Sequence, residues 1–264
     1  MNHRLLAACV VVVGFAGTAR ADILYGVKSD ALFMIDTDTV TGTFIGSVGY
    51  FGIGGLAFGN DGTLYGIASA NDRLIRIDIL TGAGSSVGAT GRPISFTTGL
   101  GNDPTTDTLY GNTEEGFGQS SFLVTYSKAN GSAATVGDTA ASALVGLDFD
   151  SSGQLWGIDG EPGVEQLVRI NKFDGSTTVI GPGGLLDFPS IAAFDIGASG
   201  TFWAIHDTDL ELLSINPSTG LATSHGNITG IPLGGFVTGL ASLPGPGSAY
   251  LLCLGSLVLR RRRR

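Results

Sequence analysis

The chain of 264 residues holds 43 glycines, 9 prolines and 2 cysteines, is 43% hydrophobic and 14% charged, and carries a formal net charge of -9. Glycine at about one residue in six without a Gly-X-Y period excludes collagen, and the apolar content excludes a disordered chain. Arg4, Arg20 and Arg260 to Arg264 supply half of the 14 basic residues, leaving residues 22–243 with 7 basic against 23 acidic ones; a body that acidic lacks the clustered Lys and Arg needed to grip phosphates, which excludes nucleic acid as a partner.

In chain order, Met1 to Ala21 reads as a secretory leader. His3 and Arg4 form a short basic start, Leu5 to Ala16 an apolar run, and Ala19-Arg20-Ala21 a small-x-small cleavage site. Cleavage is expected before Asp22, with export of the remainder. Cys9 leaves with the leader, and Cys253 sits in an apolar stretch near the other end, so the body has no cysteine for a disulfide, a metal or a nucleophile.

The body repeats itself. Phrases of the LYG type begin at Leu24, Leu64, Leu109, Leu155 and Phe202, spaced by 40, 45, 46 and 47 residues. Each is followed by an alternating apolar stretch (LFMID, LIRID, LVTYS, LVRIN, LLSIN) and then a turn pair: Thr41-Gly42, Thr81-Gly82, Asn130-Gly131, Asp174-Gly175 and Thr219-Gly220. A short segment closing on Gly comes next (TFIG, SSVG, ATVG, TVIG, TSHG). Before the later LYG phrases stands another strand: Gly55 to Phe58, Thr97 to Leu100, Gly146 to Phe149 and Ile191 to Phe194. Period-2 alternation bounded by Gly, Asp and Asn is the signature of strands and hairpins, and no 3.6-residue period interrupts it.

Four short strands in about 45 residues make a β-propeller blade. Five phrases predict an all-β fold, a ring of five four-stranded blades over residues 22–243. The first copy lacks its leading strand, and the chain supplies an orphan, VTGLAS (Val237 to Ser242), after the fifth. Joined to the first blade, that strand closes the ring and hides its edges. A six-bladed ring with one degenerate member and an open solenoid are the alternatives. Under this reading the Tyr or Trp of each LYG phrase packs between blades, and Asp61-Gly62, Ser152-Gly153 and Asp174-Gly175 are turns. The order GLAF, DGTLYG, LIRID, TG is similar to the loose repeat of NHL-type and regucalcin-like propellers, a resemblance that marks blade geometry and carries no catalytic residue with it.

Loops on such a scaffold carry function. Those after the LYG strands hold Lys28 and Asp30, Asn71 and Asp72, Glu114 and Glu115, Asp159 and Glu161, and His206, Asp207 and Asp209. All five repeats therefore place acids on one predicted face. Asp159, Glu161, His206, Asp207 and Asp209 are its candidate binding residues, and Ca²⁺, a hard cation with oxygen ligands, is the cofactor that converging carboxylates would take. A solvated acidic rim is the simpler account of the same residues, because no contiguous calcium loop occurs. Of three histidines only His206 and His225 lie in the body, and no Gly-x-Ser-x-Gly elbow, His-Glu-x-x-His or phosphate-binding Lys-Ser/Thr motif is present. A non-enzymatic binding and display scaffold is the leading expectation. An exported metal-dependent hydrolase or lactonase using the acidic face is the alternative.

Residues 244–264 form a second address. Pro244-Gly245-Pro246-Gly247 precedes an uncharged run from Ser248 to Leu259 and then Arg260, Arg261, Arg262, Arg263 and Arg264. Twelve residues span about 18 Å as a helix against a hydrocarbon core of about 30 Å, so this is a poor permanent membrane helix. The proline motif, short apolar helix and Arg-rich terminus resemble the PEP-CTERM sorting domain of bacterial surface proteins, with Gly245 where that family usually has Glu. The resemblance implies an exosortase-type sorting enzyme as a partner, transient passage through the inner membrane, and a destination at the cell surface or in an extracellular polysaccharide matrix, where polysaccharide or another surface protein would be the ligand.

Overall fold

The computed structural model describes residues 21–92, 99–114, 121–141, 144–161, 164–181, 190–206, 209–232 and 235–243. The expected leader up to Arg20, the sorting motif Pro244-Gly245-Pro246, the run to Leu259 and Arg260 to Arg264 lie outside them, as does Asp207.

Among the described residues the alternating stretches become twenty strands. The first blade holds β1 (Ile23–Lys28), β2 (Ala31–Asp36) and β3 (Thr41–Ser47). The second is β4 (Ile53–Phe58), β5 (Leu64–Ala68), β6 (Arg73–Ile77) and β7 (Gly84–Ala89). The third is β8 (Leu100–Asp103), β9 (Thr108–Glu114), β10 (Ser121–Tyr126) and β11 (Ala133–Asp138). The fourth is β12 (Leu144–Phe149), β13 (Leu155–Glu161), β14 (Val164–Ile170) and β15 (Thr177–Val179). The fifth is β16 (Ile191–Ile196), β17 (Phe202–His206), β18 (Glu211–Ile215) and β19 (Ala222–Asn227). The last strand, β20 (Val237–Ser242), returns to the first blade, whose order is β20-β1-β2-β3.

The chain is a five-bladed β-propeller. Strands β20, β4, β8, β12 and β16 are innermost, and each packs on the next until β16 meets β20 again. The expected closure is therefore made, by antiparallel pairing of Leu24 with Ser242, Tyr25 with Ala241 and Gly26 with Leu240, and the described residues form a closed ring of five blades in place of the six-bladed ring or open solenoid. Burial falls from axis to rim: β4 is buried at every residue, while the outer strands β7 and β11 bury none.

The aromatic residues of the LYG phrases pack between blades. Tyr25, Tyr65, Tyr110, Trp156 and Trp203 are all buried. Tyr25 meets Phe58 of the next inner strand at a ring distance of 5.4 Å, and Tyr110 meets Phe149 at 5.3 Å. Asn102 replaces that phenylalanine in the third blade, and there Lys128 and Arg76 cover the Tyr65 ring at 5.6 and 5.9 Å instead.

Two motifs that look separate in the sequence form one clasp. A Gly near the end of each outer strand in the first four blades lies against the backbone of the next blade's turn pair. A Cβ on Gly46 would lie 1.9 Å from the Thr81 carbonyl oxygen, one on Gly88 1.9 Å from that of Asn130, and one on Gly137 1.8 Å from that of Asp174. The fifth-to-first junction is made differently, with Gly42 N–H donating to Thr229 O at 2.7 Å and Thr229 N–H to Val40 O at 3.0 Å.

Gly137→Ala is expected to lower stability by about 1–3 kcal/mol, the usual cost of forcing atoms into filled space. A drop in the thermal midpoint, with the β-type circular dichroism spectrum retained below it, is the readout.

Candidate functional site

The two faces of the ring differ. On the first, where β1, β5, β9, β13 and β17 end, three of the residues singled out above take the same place on consecutive blades. Asp159 pairs with Leu144, His206 with Ile191 and Lys28 with Val237, each partner being the first residue of an inner strand. A β-bulge interrupts the pairing at that point in all three blades, a device that re-aims side chains. Lys28 is buried there, bonded through Nζ to the Pro232 carbonyl, and burial lowers its pKa. Asp209 is exposed on the loop beyond His206, and its carbonyl accepts Asn227 Nδ2 at 2.9 Å. Glu161 ends β13 with its side chain outside the description, and Asp207 is outside it altogether. Among the described residues no three His, Cys, Asp or Glu side chains come together as a metal-holding group.

The opposite face, at the far ends of the inner strands, holds a funnel of about 680 Å³ to which all five blades contribute. Its rim is lined by the tight turns, among them Asn60, Thr105, Ser152 and Ser199. Beneath it the axis is filled by Leu56, Leu100, Leu147, Phe194 and Leu240, leaving no room for a water molecule. Glycine permits this packing: a Cβ on Gly146 would sit 2.6 Å from the Cβ of Phe194.

Two acids that the sequence reading passed over line this funnel. Aligned by register, the inner strands place Ala57, Gly101, Asp148, Asp195 and Ala241 at one level, each opposite the aromatic residue of its own blade. Asp148 and Asp195 thus stand on adjacent inner strands with small residues on the other three. Asp148 Oδ2 accepts the Ile196 N–H at 2.9 Å. Burial, and then the neighbouring Asp195 charge, push the Asp148 carboxyl well above the usual range. Burial raises Asp195 to about 6 against the opposing hydrogen bonds from Ser242. A legible signal existed: a charge inside a strand phrase whose other copies hold Ala or Gly.

Other acids on this face serve the architecture. Asp22 accepts the Ser199 N–H at 2.9 Å and the Trp203 Nε1–H at 2.9 Å, tying the start of the body to the fifth blade. Asp150 accepts Ser152 Oγ at 2.6 Å and Trp156 Nε1 at 3.0 Å. Asp103, fully buried, accepts Lys172 Nζ at 2.6 Å, joining the third blade to the fourth.

Comparisons with known proteins speak to the fold. No protein-family model matches the chain, and no curated protein matches it in sequence. The chain is similar to one in the crystal structure of a nidogen/laminin complex, with a TM-score of 0.59 and 12% identity over 84% of this chain and 82% of that one. It is also similar to the crystal structure of TolB from Acinetobacter baumannii, with a TM-score of 0.52 and 12% identity over 78% of this chain and 53% of that one. At that identity the likeness is one of architecture.

The Asp103–Lys172 pair gives a measurable signature. Burial opposes ionisation of Asp103, but the hydrogen bonds from Lys172 and Thr105 outweigh it and lower the pKa. A carboxyl lowered in the folded state contributes stability that is present above its unfolded pKa and lost as pH falls through the folded value. Asp103→Asn is expected to cost about 1–3 kcal/mol at pH 7 by removing the charged acceptor from the partly buried Lys172. The difference in thermal midpoint between the two chains should shrink as pH falls below about 4.

Proposed function

We infer that the chain is an exported β-propeller, held at the cell surface or in an extracellular matrix, that acts as a non-enzymatic binding and display scaffold. One observation carries the reading. Ring closure brings both ends of the body to one place, since Leu24 pairs with Ser242 on β20. The expected leader ends at Ala21 and the tail resembling a PEP-CTERM signal starts at Pro244, so both addresses leave from a single blade on the funnel side, where Leu243 lines the rim.

In this reading the tail leaves the ring on its funnel side, opposite the loop face that carries Asp159, His206 and Asp209, and its removal by an exosortase-type enzyme frees the ring from the membrane. A closed ring suits such a role, because no unpaired edge of β1 remains at the seam to recruit other chains. Extracellular polysaccharide or another surface protein is the ligand class that this destination supplies.

Fractionation of producing cells tests this. The mature chain is expected to begin at Asp22 and to appear at the surface or in the polysaccharide fraction. Replacing Pro244, Gly245 and Pro246 with Ala should hold it in the membrane fraction. A chain that keeps Met1 and stays in the cytoplasm overturns the export reading, and unchanged localisation of the tail variant overturns the sorting reading.

A further inference from the structure

We propose that the floor of the funnel is a divalent-cation site, suited to Ca²⁺, with the Asp148 and Asp195 carboxylates as its anionic ligands. This is a different place from the acidic loop face singled out by the sequence.

Four observations converge. The first is the pairing of the two carboxyls on adjacent inner strands, inside the funnel, with no Lys or Arg among the residues that line it. No basic side chain on the funnel wall therefore faces the pair, and Asp22 adds to the field at Asp195. The second is a pair of orphaned oxygens: Asp195 Oδ2 and Asn102 Oδ1 accept no hydrogen bond among the described residues, although their residues are only 4% and 8% exposed. A buried acceptor without a donor costs free energy unless something in the cavity supplies one or a cation takes its place. Third, the funnel wall offers oxygen ligands: the two carboxylates, with the Asn102 amide oxygen and the Ser242 hydroxyl one residue nearer the rim. Hard oxygen ligands without nitrogen or sulfur select Ca²⁺ or Mg²⁺, and an uncrowded site of mixed oxygens with room for water favours the larger ion. Fourth, the remaining three positions at this level are Ala57, Gly101 and Ala241, which bring neither a charge nor a competing polar side chain to it.

A cation here would join the fourth and fifth blades at the axis and present open coordination positions to whatever enters the funnel.

The protein carries its own probe. Its two tryptophans, Trp156 and Trp203, are the cross-strand partners of Asp148 and Asp195. Tb³⁺ added to the full chain is therefore expected to luminesce on tryptophan excitation and to be displaced by Ca²⁺. The thermal midpoint should rise by several degrees in millimolar Ca²⁺ relative to chelator. Asp148→Asn and Asp195→Asn, which keep side-chain shape, should each weaken Ca²⁺ binding by more than about tenfold. Asp209→Asn, on the other face, should leave it unchanged. Absence of both the Tb³⁺ signal and the Ca²⁺ shift in the folded wild-type chain overturns the proposal. Binding that survives in both variants, or that Asp209→Asn removes, also overturns it, by placing the ion elsewhere. None of these readouts depends on export or on the tail, so this inference and the scaffold reading stand or fall separately.

Discussion

Everything in this ring depends on the pairing of β20 with β1. The body is a row of blades whose first member has three strands of its own, and the strand that completes it comes from the far end of the chain. Without that pairing the inner edge of β1 would expose unmatched N–H and C=O groups, and Val27, Leu24 and Leu240 would lose the neighbours that bury them. With it, the inner strands form an unbroken circuit, and the same contact brings the two ends of the body together. Asp22 reinforces the seam from the outside, since its carboxylate reaches across to Ser199 and Trp203 of the fifth blade.

Around that circuit the chain solves one problem at two radii, namely how to bring backbones close. At the axis, Gly99, Gly146 and Gly239 let inner strands approach where a side chain would strike neighbouring backbone. At the rim, Gly46, Gly88 and Gly137 receive the turn of the next blade. The high glycine content is thus a packing requirement, with positive φ decisive at fewer positions, such as Gly175 at +84° in a turn. Between the two radii the layer is aromatic, and each ring-to-ring contact is worth about 0.5–1.5 kcal/mol beyond its buried area.

The acidity of the body has a related explanation. Many of its carboxylates and amides accept local backbone N–H groups at turns: Asp36 from Thr39, Asp78 from Leu80, Asp174 from Ser176 and Asn216 from Ser218. Asp serves this purpose in turns because its side chain can stand in for a backbone carbonyl. Others, Asp103 and Asp107, pair with Lys172 and Lys128 across strands. Asp148 instead accepts the Ile196 N–H of the next blade, and Asp195 keeps one oxygen without a hydrogen bond among the described residues, which makes this buried pair the candidate for a ligand.

Blade number, strand order and the role of the orphan terminal strand were legible in the sequence because they follow from period, alternation and turn chemistry, which are local and repeat. The five LYG aromatics were read as interblade packing on the same ground, and all five are buried. The loop face was legible as a list, and the structure adds that Asp159, His206 and Lys28 hold equivalent positions on three consecutive blades. The funnel and its acid pair were not, since Asp148 and Asp195 are 47 residues apart and each looks like an ordinary strand residue beside its own neighbours. The sequence by itself determined a closed ring of repeats. Only the tertiary structure decided which side chains meet on its axis, because the neighbours there come from different blades, and their register is set by the long-range packing of inner strands rather than by any contact within a repeat.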